Sequence, residues 1–387
     1  MNGSQLNVRE FLGHESVQLP LRRNSEDFEK FVEETLGQYL NLLTLLVECE
    51  VSKEVNKQRT TIETFCELAK QAIGSMYKGR PHEAYEHFSR AVEPISDLLK
   101  KSPLSRSQFD WFYRLRTDDS GSLTREELFH PPFEKRHLVA SQRYSVPGLP
   151  CLYLGGSLYT CWEELDRPPF HQLHVSAFWL RNPAKQPTLL YVTDRPARLL
   201  LAVEENGGIQ QSPFANTIEE ITRHLVLWPL MALCSTVVKH SKGAFKPEYI
   251  IPQLLLQWVA QNSELDGICY FSTHINAVTN EYWPTANLVF PVRQIKPTGR
   301  CADLRDMFGM TRPESWELLR SVQGFPTPAD SISALVVPAF HIELLEGCAE
   351  EYALTEFGKI ETKLNNQARH LRKKNETGDA EAGQVSE

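Results

Sequence analysis

Apolar side chains recur every three or four residues in three segments of the first hundred residues. The segments are 28–46, 61–77 and 84–98, and this spacing places the apolar residues on one face of a helix. Pro81 follows Gly79, a pair typical of one helix ending and another beginning. Amphipathic helices bury these faces against one another, so the pattern predicts an all-α bundle for residues 1–103.

Beyond Pro103 the pattern changes to short apolar runs rich in β-branched and aromatic residues. Two helical segments, near 217–238 and 247–261, interrupt these runs. Because strands and helices do not alternate regularly, we predict an α+β domain for residues 104–360. From residue 361, and most clearly from Asn365, the chain is polar and charged, which predicts a disordered tail over 361–387. The predicted strands cover 111–116, 150–155, 173–180, 188–193, 268–273 and 287–292.

Composition excludes several classes of protein. The net charge is -8, which argues against a dedicated nucleic-acid-binding protein. The 8 cysteines are scattered without a C-x-x-C pair, so neither a disulfide framework nor a zinc site is expected. No secretory signal or membrane-length apolar run is evident. We therefore expect a soluble cytoplasmic protein without a membrane partner.

Two arginines are candidate ligand-binding residues because of their sequence surroundings. Arg114 stands within the apolar run WFYRLR, either as an edge-strand arginine facing solvent or as a ligand-binding residue. Arg143 precedes the turn Pro147-Gly148, with further cations at 135–137. Guanidinium groups bind phosphate oxygens bidentately, so this cluster could hold phosphate or could form a solvated loop.

The run PCLYLGGSL predicts a buried strand that stops at Gly155-Gly156, with Ser157 as the N-cap of a helix. Glu164 lies about two turns beyond Ser157 on much the same face, and Glu163 cannot share that face. The alternative is a capped amphipathic helix with two surface glutamates. Ser272 ends the strand GICYFST, where its hydroxyl either binds a ligand or simply ends the strand.

Taken together, FYRLR, RYSVPGLPCLYLGGSLYTCWEEL and YFST followed by NLVFPV resemble the RES domain over residues 107–292. The resemblance implies an NAD-consuming toxin with a fold like that of ADP-ribosyltransferases. It also assigns Arg114, Glu164 and Ser272 as the arginine, glutamate and serine of the family. Arg143 and Tyr153 match the residues that line the NAD pocket, and Arg116 competes with Arg114 for contact with the ligand.

The resemblance implies cleavage of the bond between nicotinamide and ribose, with NAD as the substrate. A carboxylate near the ribose hydroxyls stabilises the oxocarbenium-like transition state, arginines hold the pyrophosphate, and no metal is required. The acceptor is water, phosphate or a protein nucleophile. The resemblance further implies growth arrest, in a toxin–antitoxin or phage-defence setting, with an inhibitory antitoxin and self-association as possible interactions.

The helical segment is similar to the HEPN domains that precede RES domains in some larger proteins. Many HEPN domains are RNases with an arginine–histidine motif, which Arg80 and His87 resemble. One alternative is therefore an RNase whose RES-like domain senses NAD. Another is a catalytically idle module that binds NAD or ADP-ribose. A regulatory role for the helices is favoured over a nuclease role.

Overall fold

The computed structural model describes residues 5–100, 110–118, 121–200, 203, 217–275, 283–322 and 341–382. The helices in this part of the chain are numbered in chain order. They are α1 (Val8–Gly13), α2 (Phe28–Leu45), α3 (Glu50–Lys57), α4 (Arg59–Tyr77), α5 (Pro81–Val92), α6 (Ser96–Leu99), α7 (Arg125–Leu128), α8 (Leu158–Glu164), α9 (Pro196–Leu199), α10 (Thr217–Cys234), α11 (Ile250–Gln261), α12 (Ala302–Met307), α13 (Trp316–Ser321) and α14 (Glu356–Ala382).

The strands confirm the predicted α+β class. All six predicted strands are present, and their bounds shift by two residues at most. The strands are β1 (Phe112–Thr117), β2 (Cys151–Gly155), β3 (Leu173–Leu180), β4 (Leu189–Val192), β5 (Gly267–Phe271), β6 (Ala286–Pro291), β7 (Phe308–Met310), β8 (Glu314–Ser315), β9 (His341–Leu345) and β10 (Cys348–Glu351).

The first of two compact units joins residues 1–103 with 140–147 and 188–273. It therefore extends past the predicted boundary at residue 103. Its core explains why: Tyr39 of α2 stacks on Trp228 of α10 at 4.2 Å between ring centroids, and the Tyr39 hydroxyl donates to the carbonyl of Leu225. In the same unit β4 and β5 pair in parallel, with Leu189 opposite Gly267.

The second unit comprises residues 104–139, 148–187 and 274–387. Its main strands are antiparallel in the order β6, β2, β1, β3, β7, and β8 also pairs with β3. One face of β1 and β3 packs on α8, α13 and α14. The buried residues of this apolar cluster include Tyr113, Leu115, Leu158, Val175, Ala177, Trp316, Phe357, Ile360, Leu364 and Ala368.

The polar C-terminal segment differs from the predicted disordered tail. Residues 361–382 continue α14, which begins at Glu356. Ile360, Leu364 and Ala368 are all fully buried because their spacing places them on one face of the helix. Among the described residues β9 pairs only with β10.

Candidate functional site

Arg114 lies on β1 in the second unit, directly opposite Ser176 of β3. Its neighbours Tyr113 and Leu115 belong to the apolar cluster, so alternation places Arg114 on the other face of the sheet. Its Nη1 donates to the carbonyl of Tyr153 at 2.7 Å. Its Nε is buried without a hydrogen-bond partner, and burial lowers the pKa of the guanidinium to about 10.

Tyr153 is half-buried on β2, opposite Val289 of β6. Tyr153 lies next to Arg114: its carbonyl accepts the hydrogen bond from Arg114, and the two side chains also interact electrostatically. Arg116 is exposed, and its Nη1 donates to the carbonyl of Glu127 at 2.6 Å. Of the two arginines on this strand, Arg114 is the one with a buried unpaired nitrogen.

Glu164 lies at the end of α8, and Ser157 caps this helix as predicted by accepting from the backbone N–H of Thr160 at 3.1 Å. Glu163 is the buried glutamate, at 4% exposure, and it accepts from Nε of Arg167 at 2.9 Å. Glu164 is half-buried and accepts from Nδ2 of Asn287 at 2.8 Å. The two glutamates therefore point differently, and Glu164 is anchored to β6.

A glycine lets α8 approach the strands closely. A Cβ at Gly155 would lie 2.5 Å from Sγ of Cys161, which is shorter than any real carbon–sulfur contact. Gly155 pairs with both Tyr113 and Asn287, so this one position links β1, β2 and β6 beneath the helix. In the described residues Arg114 and Glu164 form no ion pair with each other; each is held by a separate partner on β2 or β6.

Arg143 and Ser272 belong to the first unit. Nη1 of Arg143 donates to the carbonyls of Cys234 and Thr236, and Nη2 donates to Oγ1 of Thr273 at 3.1 Å. Ser272, next to Thr273, is fully buried. The structure therefore brings Arg143 near Ser272, but it commits most of the guanidinium to protein oxygens, so only the remaining N–H groups could reach a phosphate.

Sequence reasoning missed two polar residues beside Ser272. Asp194 and Arg195 follow β4, and Ser272 follows the parallel neighbour β5, so all three lie at the same carboxyl edge. Nη2 of Arg195 donates to the carbonyl of Ser272 at 2.9 Å, and Asp194 forms a buried ion pair with Arg223. The available signal was the run TLLYVTDR, an apolar strand with a polar end like that of GICYFST.

The helices of the first unit form a groove of about 850 Å³ that brings Arg80 and His87 together. The ring Nδ1 of His87 is buried without a partner, whereas the exposed Arg80 lies 3.5 Å from Glu83. Carboxylates outnumber lysines and arginines along the groove, which is unfavourable for a polyanion. The charged lining is Asp27, Glu29, Glu33, Glu67 and Glu83 against Lys30, Lys70, Lys78 and Arg80.

No group of three or more His, Cys, Asp or Glu side chains in the described ranges could hold a metal ion. No helix in the same ranges combines the length and apolarity needed to cross a bilayer.

No family model matches the chain, and no solved structure is significantly similar to it. The RES and HEPN resemblances therefore remain predictions. The chain is 33% identical over 357 residues to a protein of Bacillus subtilis (strain 168) named "Putative toxin YopC". The alignment covers 89% of this chain and 78% of that relative, so the chain belongs to the same family as this Bacillus protein.

Proposed function

We propose that the protein is an NAD-degrading enzyme that acts as a growth-arresting toxin. The observation that carries the proposal is Arg114, a guanidinium with a buried unpaired Nε and no carboxylate ion pair in the described residues. A buried cation without a counter-charge is costly unless an anion compensates it. The pyrophosphate of NAD is such an anion, and the name of the Bacillus relative supports the toxin role.

In this proposal Glu164 acts on the ribose. Cleavage of the nicotinamide–ribose bond leaves the electron pair with nicotinamide and develops positive charge on the sugar. A carboxylate that accepts from the ribose hydroxyls stabilises that charge more in the transition state than in the ground state. The hydrogen bond from Asn287 fixes the direction of this carboxylate. With water as the acceptor, the products are ADP-ribose, nicotinamide and a proton.

The other roles rest on the RES resemblance. Tyr153 packs near the nicotinamide, Arg143 contributes its remaining N–H groups to phosphate, and Ser272 is the third catalytic residue. Arg116 is the secondary contact to the ligand. The choice among water, phosphate and a protein as acceptor stays open, as does control by an antitoxin or by the helices in cis.

Purified protein incubated with NAD tests the proposal through nicotinamide release, with and without phosphate. We expect Arg114→Ala and Glu164→Gln each to lower kcat/KM by about 100-fold or more, the effect of removing one group that stabilises transition-state charge. Exposed Arg125→Ala and Glu317→Gln are the matched controls and should be unaffected. An intact wild-type protein that releases no nicotinamide would overturn the proposal; binding of NAD without release would indicate the idle binding module.

A ribonuclease activity is the second candidate, favoured by the groove that brings the unpaired ring nitrogen of His87 close to Arg80. Its test is cleavage of single-stranded RNA by wild type and by His87→Ala. Exposed His82→Ala on the same helix is the control. RNA cleavage that is lost in His87→Ala but kept in His82→Ala, in a protein that does not consume NAD, would establish the ribonuclease function.

A further inference from the structure

His174 is a buried histidine that no predicted role includes. It lies on β3 at 2% exposure, and neither ring nitrogen has a hydrogen-bond partner. A neutral imidazole carries one donor and one acceptor, and an imidazolium carries two donors. Buried polar atoms are almost always paired in folded proteins, so two unpaired nitrogens on one ring indicate a partner that none of the described residues provides.

The strand register places His174 on the same face as Arg114. In the antiparallel pair β1–β3, Arg116 stands opposite His174 and Arg114 stands opposite Ser176. Residues directly opposite each other share a face, and alternate residues of one strand return to that face. Val175 and Ala177 belong to the apolar cluster on the reverse face. His174 is therefore the cross-strand neighbour of Arg116 and a diagonal neighbour of Arg114.

The unpaired atoms on this face suit an anion. Nε of Arg114 is a buried donor without an acceptor, and Arg116 uses one N–H on the carbonyl of Glu127. The carboxylate of Glu127 itself accepts from the backbone and hydroxyl of Thr124. In the described residues, Nε of Arg114 and both ring nitrogens of His174 thus lack partners on this face, and a phosphate oxygen would accept from the imidazole and from Arg114 together.

We propose that His174 is a further substrate-binding residue whose ring N–H donates to the pyrophosphate held by Arg114. This inference rests on the proposed function and names an additional contact in that site. The contact is to phosphate and not to the reacting sugar. Loss of His174 is therefore expected to weaken binding of phosphate-containing ligands and to leave the bond-breaking step nearly unchanged.

Binding of ADP-ribose and of nicotinamide riboside, which lacks the pyrophosphate, tests the assignment. His174→Phe keeps a planar ring but removes both nitrogens, and His174→Gln retains an N–H donor. We expect His174→Phe to raise the Kd for ADP-ribose and the KM for NAD about tenfold, with kcat changed less than twofold. His174→Gln should retain more affinity. Binding of nicotinamide riboside should stay the same in both variants.

The outcomes separate this inference from the function on which it rests. Exposed His171→Phe is the control for replacing a histidine by phenylalanine. The thermal midpoint of each variant checks that it folds. If His174→Phe does not fold, the ADP-ribose affinity of His174→Gln tests the inference. Wild-type turnover of NAD with unchanged ADP-ribose affinity in the folded His174 variants would overturn the inference alone. A wild-type protein that neither binds ADP-ribose nor consumes NAD would overturn both.

Discussion

At the scale of single residues, the hydrogen bond from Asn287 to Glu164 bears most directly on the proposed chemistry because it orients the carboxylate. An amide that donates at 2.8 Å to one carboxylate oxygen leaves the second oxygen available to ribose hydroxyls. Asn287 is itself 5% exposed and pairs directly with Gly155 of the neighbouring strand β2. The carboxylate is thus oriented by the sheet and not by α8 alone, and orientation of a reacting group contributes to rate.

We expect Asn287→Ala to lower kcat for NAD about tenfold with little change in KM, because the carboxylate loses its orienting donor but remains present. Asn287→Asp should be slower still, since it replaces the donor with a second negative charge beside Glu164. Nicotinamide release at saturating NAD measures both effects. Exposed Asn182→Ala is the matched control; an Asn287→Ala variant with full kcat would show that the hydrogen bond has no role in the proposed turnover.

At the scale of elements, α14 holds α8 in place. Oε1 of Glu361 accepts from the first N–H of α8, that of Leu158, at 2.6 Å and from the hydroxyl of Tyr352 at 2.5 Å. The hydroxyl of Tyr113 on β1 donates to Asn365, one turn further along α14. Helix α14 is thereby joined by hydrogen bonds as well as by apolar packing to the elements that carry Arg114 and Glu164.

Burial raises the pKa of Glu361 from 4.5 to about 7, which makes this docking depend on pH. The unfolded side chain ionises near pH 4.5, whereas the folded one keeps its proton to about 7. Its contribution to the free energy of unfolding is therefore full below pH 4.5 and is lost as pH rises through 7. We expect Glu361→Gln to gain on the order of 3 kcal/mol over wild type between pH 4.5 and 8, since each unit of pKa shift corresponds to about 1.4 kcal/mol.

Urea unfolding of wild type and Glu361→Gln at both pH values measures this difference. Glu350→Gln, an exposed glutamate of β10, is the control and should follow wild type. If the free energy of unfolding changed by the same amount between the two pH values in wild type and in Glu361→Gln, the pH dependence could not be assigned to Glu361.

The sequence predicted elements whose apolar pattern is dense, and it missed those whose pattern is sparse. Strand β3 matches its predicted run LHVSAFWL because every one of its residues is buried. Helix α14 was missed because its few buried residues stand among many charged ones. Arg114 and Glu164 could be named from motifs, but the hydrogen bond from Asn287 to Glu164 and the position of His174 on the face of Arg114 depend on strand register, which no local pattern specifies.

At the scale of the whole molecule, the first hundred residues are part of a larger unit. The stack of Tyr39 on Trp228 and the hydrogen bond from the Trp228 indole to the carbonyl of Val17 at 2.8 Å join α2 and the preceding segment to α10. Residues 1–103 therefore complete a core that chain segments after residue 187 also require.

We expect deletion of residues 1–100 to leave an aggregation-prone protein, because it uncovers the apolar surface of α10 around Trp228. Soluble yield, gel filtration and binding of a hydrophobic dye measure this outcome. Tyr39→Phe keeps the ring stack and removes only the hydroxyl, so it should remain folded and monodisperse. A deleted protein that stays soluble, with an unchanged thermal midpoint, would show that the helices form an independent domain.

The hydrogen bond from Leu158 to Glu361 also has a consequence for synthesis on the ribosome. Helix α8 lies near the middle of the chain, yet its first N–H is satisfied by a residue made more than two hundred residues later, at |i−j| = 203. A nascent chain in which α14 has not yet left the ribosome lacks the contacts that hold α8, the helix that carries Glu164, in position. Under the proposed function, a cell that makes this protein would meet NAD degradation only after α14 has been synthesised, and synthesis interrupted before α14 would yield inactive fragments.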